Sequence, residues 1–338
     1  MFCNRRFGST IILLLLAIAL PPVCIQAQLP AKRVSRFGRS LDSQRSPVSP
    51  ALARSGTVYA PQGMAFTFGL VDFPRSPDTV ATGLNSRGDI VGLYGPNLPL
   101  YQGTEESFAL EGNTFQQLIY PGASYTLGQG INKSRNVVGW YSNTDGNAHA
   151  FLRKGKEYSN IDFPGADNTI ASNINDAGEI IGIYYQNTTG TVHGFLLSKG
   201  VYTTLDPPNS TLTQPLGINS DGIIVGGYED QNSVSHGFIY QRGQFTTVDY
   251  PATSNTQLTG INDQGQMVGG YGDDVIIDGG DWPTPNAFFL DQGIFTPFQV
   301  PVDDAQITLT GTLNGNQFVG FYIDNLGNFH GYQVSIGQ

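Results

Sequence analysis

The chain contains four histidines, His149, His193, His236 and His330, and each opens a His-Gly-Phe-like segment at the same place in a repeated pattern. Imidazole is the side chain best placed to move protons or hold a metal near neutral pH, so a ring of four around a central pore is one arrangement to weigh. Equivalent positions in adjacent repeats, however, stand too far apart to share one ion at the about 2.0–2.1 Å of a Zn–N bond. A His that recurs from copy to copy is better read as a strand cap or a bond to a neighbouring unit. Asp72, Asp162, Asp206 and Asp249 recur in the same manner, each two residues before a Pro. A ring of carboxylates could bind a cation or a glycan, or do acid–base work on a sugar. Glycosidic hydrolysis needs two carboxylates about 5–10 Å apart, and regular recurrence equally suits structural loop residues.

One stretch departs from the pattern: YGDDVIIDGGDWPTP, residues 271–285. Asp273, Asp274, Asp278 and Asp281 supply the hard oxygen ligands that Ca²⁺ prefers, with glycines for tight turns. The spacing is neither that of an EF-hand nor that of the glycine-rich nonapeptide repeat, so a solvated acidic loop is the competing reading. Trp282, in the same loop, could stack on a sugar face. GxSxG, HExxH, P-loop, CxxC and dinucleotide-binding patterns are all missing from the sequence. No single copy holds a His, carboxylate and nucleophile set that the others lack. The expectation is therefore a non-enzymatic module that binds a glycan, a cell-surface component or a protein without a required cofactor. The alternative is a carbohydrate hydrolase or lyase that uses these loop carboxylates, with or without Ca²⁺.

The elements that position these residues follow from six copies of one motif. An Asn is followed by a Gly seven residues on and a Tyr two later: Asn85/Gly92/Tyr94, Asn132/Gly139/Tyr141, Asn175/Gly182/Tyr184, Asn219/Gly226/Tyr228 and Asn262/Gly269/Tyr271. The sixth, Asn314/Gly320/Tyr322, is one residue shorter. Asn-x-x-Gly at 85–88, 175–178, 219–222 and 262–265 suits a hairpin whose fourth residue takes positive φ, while the second copy has Arg135 instead. The strand after the turn is apolar on both faces, with Ile224 and Tyr228 opposite Val225, so it must lie between two layers. A segment ending in Pro precedes each Asn, by 11 residues in five copies and by 13 between Pro301 and Asn314.

Four strands per unit and six units fit a six-bladed β-propeller. The last unit lacks a Pro-ended strand, and one stands alone at Phe66 to Pro74, so the N-terminal strand would complete the last blade and close the ring. With the Asn strand innermost, the loop after each Tyr and the loop after each Pro share one face. The loop after the Tyr varies most, and variable loops on a rigid scaffold are where binding resides.

Composition agrees. Gly is 43 of 338 residues and charged residues are 13%, as in a turn-rich all-β protein. From residue 66 on there are 9 Lys plus Arg against 26 Asp plus Glu, a balance of −17, which repels nucleic acid. Residues 1–27 read as a secretory signal: Arg5 and Arg6, then an apolar core from Ile11 to Leu20 too short to span a bilayer, then Pro21-Pro22 and Ala27. Lipid anchoring at Cys24 is a minor alternative to plain secretion. Both cysteines, Cys3 and Cys24, fall in this leader, so the folded part owes nothing to disulfides. Residues 28–60, basic and rich in Ser and Pro, read as a disordered linker, and residues 61–338 as the propeller.

The leader, the GIN-x-x-G-x-I-V-G-x-Y core and the H-[GA]-F strand together resemble the bacterial extracellular repeat proteins called the HAF family. The likeness covers residues 66–338, with Ser107 and Asn286 in place of His in the first and fifth units. It implies an exported repeat protein and no particular activity.

Overall fold

Asn173, at the end of an innermost strand, shows how the units are held: its Nδ2 donates to Leu216 O of the next unit at 3.1 Å and to Thr312 Oγ1 of the sixth at 3.3 Å. The structure is a computed structural model that describes residues 55–59, 64–96, 105–273, 275–277, 280–282 and 286–337. The leader and the linker up to residue 54 lie outside the described residues. Those described form an all-β chain in a β-propeller arrangement, with no helix among them.

The third unit shows the plan. Asn168–Ile174, Ile180–Tyr185, Val192–Ser198 and Val201–Leu205 pair in that order, each antiparallel to the next. The same meander recurs in every other unit except the last. There Ala305–Asn314, Gln317–Asp324 and Phe329–Gly337 are joined on the outer side by Ala65–Leu70, antiparallel to the third strand. One further strand, Ser55–Tyr59, pairs with Ala65–Leu70. These residues fall within the stretch expected as linker, 28–60, and extend the sheet of the last unit. The third and fourth units also touch through a single parallel pair, Val192 with Leu212.

The motif Gly and the motif Phe belong to one device. Gly182 is the cross-strand partner of Phe195, Gly226 of Phe238 and Gly139 of Phe151. A Cβ on Gly226 would lie 2.8 Å from the Phe238 ring and closer still to Gln214 O on the other flank. The bare backbone thus seats a ring that is fully buried between neighbouring units, and burying a Phe contributes about 1.5–3 kcal/mol.

The glycines of the Gly-Ile-Asn segment face the next unit instead. A Cβ on Gly130 would stand 2.8 Å from Asn173 Cα, one on Gly217 2.9 Å from Gly260 Cα, and one on Gly311 2.9 Å from Thr82 O. Innermost strands therefore touch backbone to backbone, and the last touches the first. Thr312 Oγ1 donates to Thr82 O at 3.0 Å, and Phe329 N donates to Asp78 Oδ1 at 3.0 Å across the same junction. With Asn173 reaching Thr312 three units away, a side-chain bond spans the middle of the ring.

The repeat Asn closes its own turn and also stitches the ring. In the fourth unit Asn219 Oδ1 accepts from the backbone N–H of Asp221 and Ile223, while its Nδ2 donates to Asn262 O at 3.2 Å. Asn85, Asn132, Asn175 and Asn262 make the same step to the following unit. Arg135 takes the left-handed conformation, φ 60°, that Gly holds in the sister turns. Its guanidinium ties to buried Asp89 at 2.8 Å and to Glu111 at 3.1 Å, which helps hold Asp89 below the usual carboxylate range against the opposing effect of its burial.

Candidate functional site

The four histidines do not surround the axis. Each opens the third strand of its unit, two strands out from the centre, and each meets the aspartate that follows the fourth strand. His149 Nδ1 lies 2.8 Å from Asp162 Oδ2, His193 Nδ1 2.7 Å from Asp206, His236 Nδ1 3.0 Å from Asp249 and His330 Nδ1 3.3 Å from Asp72. In the second unit the other oxygen of Asp162 accepts from Ala150 N at 2.8 Å, and Asn160 Nδ2 also donates to the carboxylate. The aspartate thus pins the end of the outer strand to the start of the third.

A second carboxylate stands on the far side of three of these rings. His149 Nε2 is 2.9 Å from Asp145, His330 Nε2 3.4 Å from Asp324 and His236 Nε2 3.8 Å from Asp230. Asp145 and Asp230 sit in the loop between the second and third strands, and Asp324 ends the second strand at the head of that loop. The imidazole therefore bridges the two kinds of loop that share one face. Burial works against a charge on His149 and His330, yet the hydrogen bonds and charges of the flanking aspartates outweigh it and raise both above the ordinary His value. Asp145 is held low, first by the backbone N–H of Asn147 and then by His149, against its burial.

The rings also stack. His149, His193, His236 and His330 lie on Tyr141, Tyr184, Tyr228 and Tyr322 at centroid distances of 4.9–5.3 Å. In the second and third units a further aromatic from the preceding connection covers the other side of the Tyr, Tyr120 on Tyr141 and Phe163 on Tyr184, each at 3.6 Å. A His oriented by an Asp is the arrangement that prepares a general base. Here, in the second, fourth and sixth units, the other ring nitrogen faces another carboxylate rather than an open reaction centre. In those three units the imidazole clasps the loops on either side of its strand, an ion pair wherever the ring is protonated, while His193 pairs with Asp206.

The sequence reading set His and Asp apart as two unrelated rings, and the structure joins them. The signal was present in two columns of the repeat. Units with His have Asp before the Pro, whereas the first unit has Ser107 with Ile119 and the fifth Asn286 with Gln299. Of the acidic insertion, Asp273 is described and its Oδ1 accepts from Ser254 N at 3.3 Å. Asp274 and Asp278 lie outside the described residues. Asp281 and Trp282 belong to a short strand, Gly280–Trp282, paired with Val275–Ile277, and their side chains are outside the description. Among the described residues no three His, Cys, Asp or Glu side chains gather as a metal site.

The same face holds a cleft of about 580 Å³ at the junction of the chain's two end segments. Residues 301–304 and Gln306, on the connection into the last unit, form one wall, and Asn325, Gly56 and Phe68 complete it.

No protein-family profile matches the chain, and no curated protein matches it in sequence. Solved structures resemble it at a distance. A fucose-specific lectin from Aleuria aurantia is 12% identical over 77% of this chain and 94% of its own, with a TM-score of 0.47. The β-propeller domain of the Trilobed protease from Pyrococcus furiosus is 10% identical over 83% and 95%, at 0.44. The BP39L lectin from Burkholderia pseudomallei is 8% identical over 83% and 91%, at 0.40. All are too distant to transfer a ligand or an activity.

Proposed function

We propose that this chain is an exported, non-enzymatic binding module: a six-bladed β-propeller of the HAF repeat type that offers one loop face to a glycan of a cell surface. The observation that carries the reading is the division of labour between the two faces. On one, the Asn turns are tied unit to unit by side-chain bonds to backbone carbonyls. On the other, the loops differ in length and sequence over a shared base of His–Asp clasps. The middle is crossed by the Asn173–Thr312 bond, so the variable face is the place left for a ligand. Six blades are supported by six copies of the four-strand plan and by the contact of the last innermost strand with the first. Export is supported by the apolar leader.

The test is incubation of the purified chain with bacterial and plant polysaccharides, scored for retention on the polymer and for release of reducing ends. Retention without release is the expected result. Release of sugar that disappears in Asp206→Asn, with folding intact, would overturn the non-enzymatic reading.

A further inference from the structure

We infer that the cleft of the closing unit is a binding site for a short neutral saccharide, an inference that rests on the glycan-binding reading and gives that reading a location. A site on a repeat scaffold shows itself where the repeat is broken, and the repeat is broken here more than once. The connection from Pro301 to Asn314 is two residues longer than its counterparts. The residue before Pro301 is Val300, where most other units place Phe or Tyr against the motif Tyr. That aromatic is Tyr120 against Tyr141 and Phe163 against Tyr184; in the last unit Val300 is buried in one cluster with Tyr322, and Phe68 of the N-terminal strand packs 6.5 Å from the Tyr322 ring. The outer wall is also unlike any other, because Gly56 and its cross-strand partner Phe68 come from the start of the chain.

The volume, about 580 Å³, lies within the usual range for small-ligand sites. The lining has two chemistries. Asp303 and Asp304 offer carboxylate acceptors, and Gln306 and Asn325 carboxamides that donate and accept, which is the set that satisfies vicinal hydroxyls. Pro301 and Val302 give apolar surface for the C–H face of a sugar ring, with Leu326 beside Asn325 exposed at 81%. Among the described residues no Lys or Arg lines the cleft, so there an anionic ligand would meet two carboxylates. Gln306 Nε2 reaches Asp304 O only at 3.5 Å, which leaves the amide ready for a ligand.

The experiment is saturation-transfer NMR on the purified chain with cellobiose, maltose, lactose and chitobiose in separate samples, and with spermidine as a cationic probe. The variants are Asp304→Asn combined with Asn325→Ala, Asp249→Asn elsewhere on the loop face, and Asp221→Asn on the opposite face. Asp304 and Asn325 are half-buried or exposed, so the double variant keeps the fold, and its melt verifies this. Binding of at least one disaccharide is expected, weakened roughly tenfold or more in the double variant and unchanged in Asp221→Asn. Disaccharide binding that is lost in Asp249→Asn but kept in the double variant would overturn the cleft and leave the glycan-binding reading standing. Binding of spermidine alone would overturn the saccharide class, and silence from every probe would overturn both readings.

Discussion

Gly226 and Gly227 are adjacent in one strand, Ile224–Glu229, and offer a direct test of the packing between units. Replacing either with Ala removes backbone freedom from the unfolded chain, which alone stabilises by about 0.4–1 kcal/mol. The native environments differ sharply. A Cβ at 227 would meet Gln257 Cγ at 3.2 Å and Nε2 at 3.4 Å, so this buried side chain, which donates to Gln214 Oε1, has to give only a few tenths of an ångström. A Cβ at 226 would meet Phe238 Cε1 and Cζ at 2.8 Å, with Gln214 O nearer still on the opposite flank. Ordinary contact needs several tenths of an ångström more on both sides at once. Moving the strand away from the carbonyl drives it into a fully buried ring, so no single shift relieves both. Overpacking of this kind costs about 1–3 kcal/mol and occasionally more, and the two-sided constraint places Gly226→Ala at about 3 kcal/mol. In a domain of this size that is a fall in Tm of about 6–12 °C. Gly227→Ala should stay within about 1 kcal/mol of the parent. Urea unfolding followed by Trp fluorescence, with melts as a second probe, measures the difference. Equal stability of the two variants, or a more stable Gly226→Ala, would refute the account of why this Gly and the motif Phe occur together.

The clasps should answer to pH. The folded-state pKa of His149 is raised above its unfolded value of about 6.5, so its stabilisation is complete below that value and is lost as pH rises through the folded one. Melts of His149→Gln against the parent should show the larger deficit at mildly acid pH and a smaller one in alkali; a constant deficit would count against an ionic clasp. Asp162→Ala strips acceptors from His149, Ala150 N and Asn160 and should cost about 1–3 kcal/mol. Asp206→Ala should cost less by urea unfolding, because Gly194 N reaches its carboxylate only at 3.4 Å. Asn219→Ala removes a bond to the next unit together with two turn bonds, a loss of about 1–3 kcal/mol that hydrogen exchange should register in both the fourth and fifth units.

Much of the scaffold could be read from spacing. The Asn-to-Gly-to-Tyr interval announces hairpins of fixed length, and the apolar faces on both sides of Ile224–Glu229 announce layers above and below. What spacing does not carry is partnership. Gly226 and Phe238 stand in different motifs, and only register makes them neighbours. His and Asp each recur, but their pairing shows only when two positions are compared across all units. Ser55–Tyr59 reads as linker in the sequence because five residues without a repeat have no visible partner until Ala65–Leu70 is placed beside them. The Asn173–Thr312 bond joins residues 139 apart, and the cleft depends on Gly56 and Phe68 reaching the last unit from the far end of the chain. Those are consequences of packing, invisible to periodicity.

The pairing of Ala65–Leu70 with the third strand of the last unit also sets an order of events in time. Phe66 and Phe68 are nearly fully buried, against Phe289, Phe298, Phe318 and Tyr332, all of them more than two hundred residues further along the chain. These side chains emerge early in synthesis and wait for almost everything else before they find their neighbours. Contacts of such separation make folding slow, and an apolar strand with an open edge is a hazard while it waits. Until the final strand arrives the first is a sticky end. The ring's last bond to form is therefore the one that would commit the molecule, and a chain stalled or cut just short of it would leave the apolar edge of Ala65–Leu70 exposed.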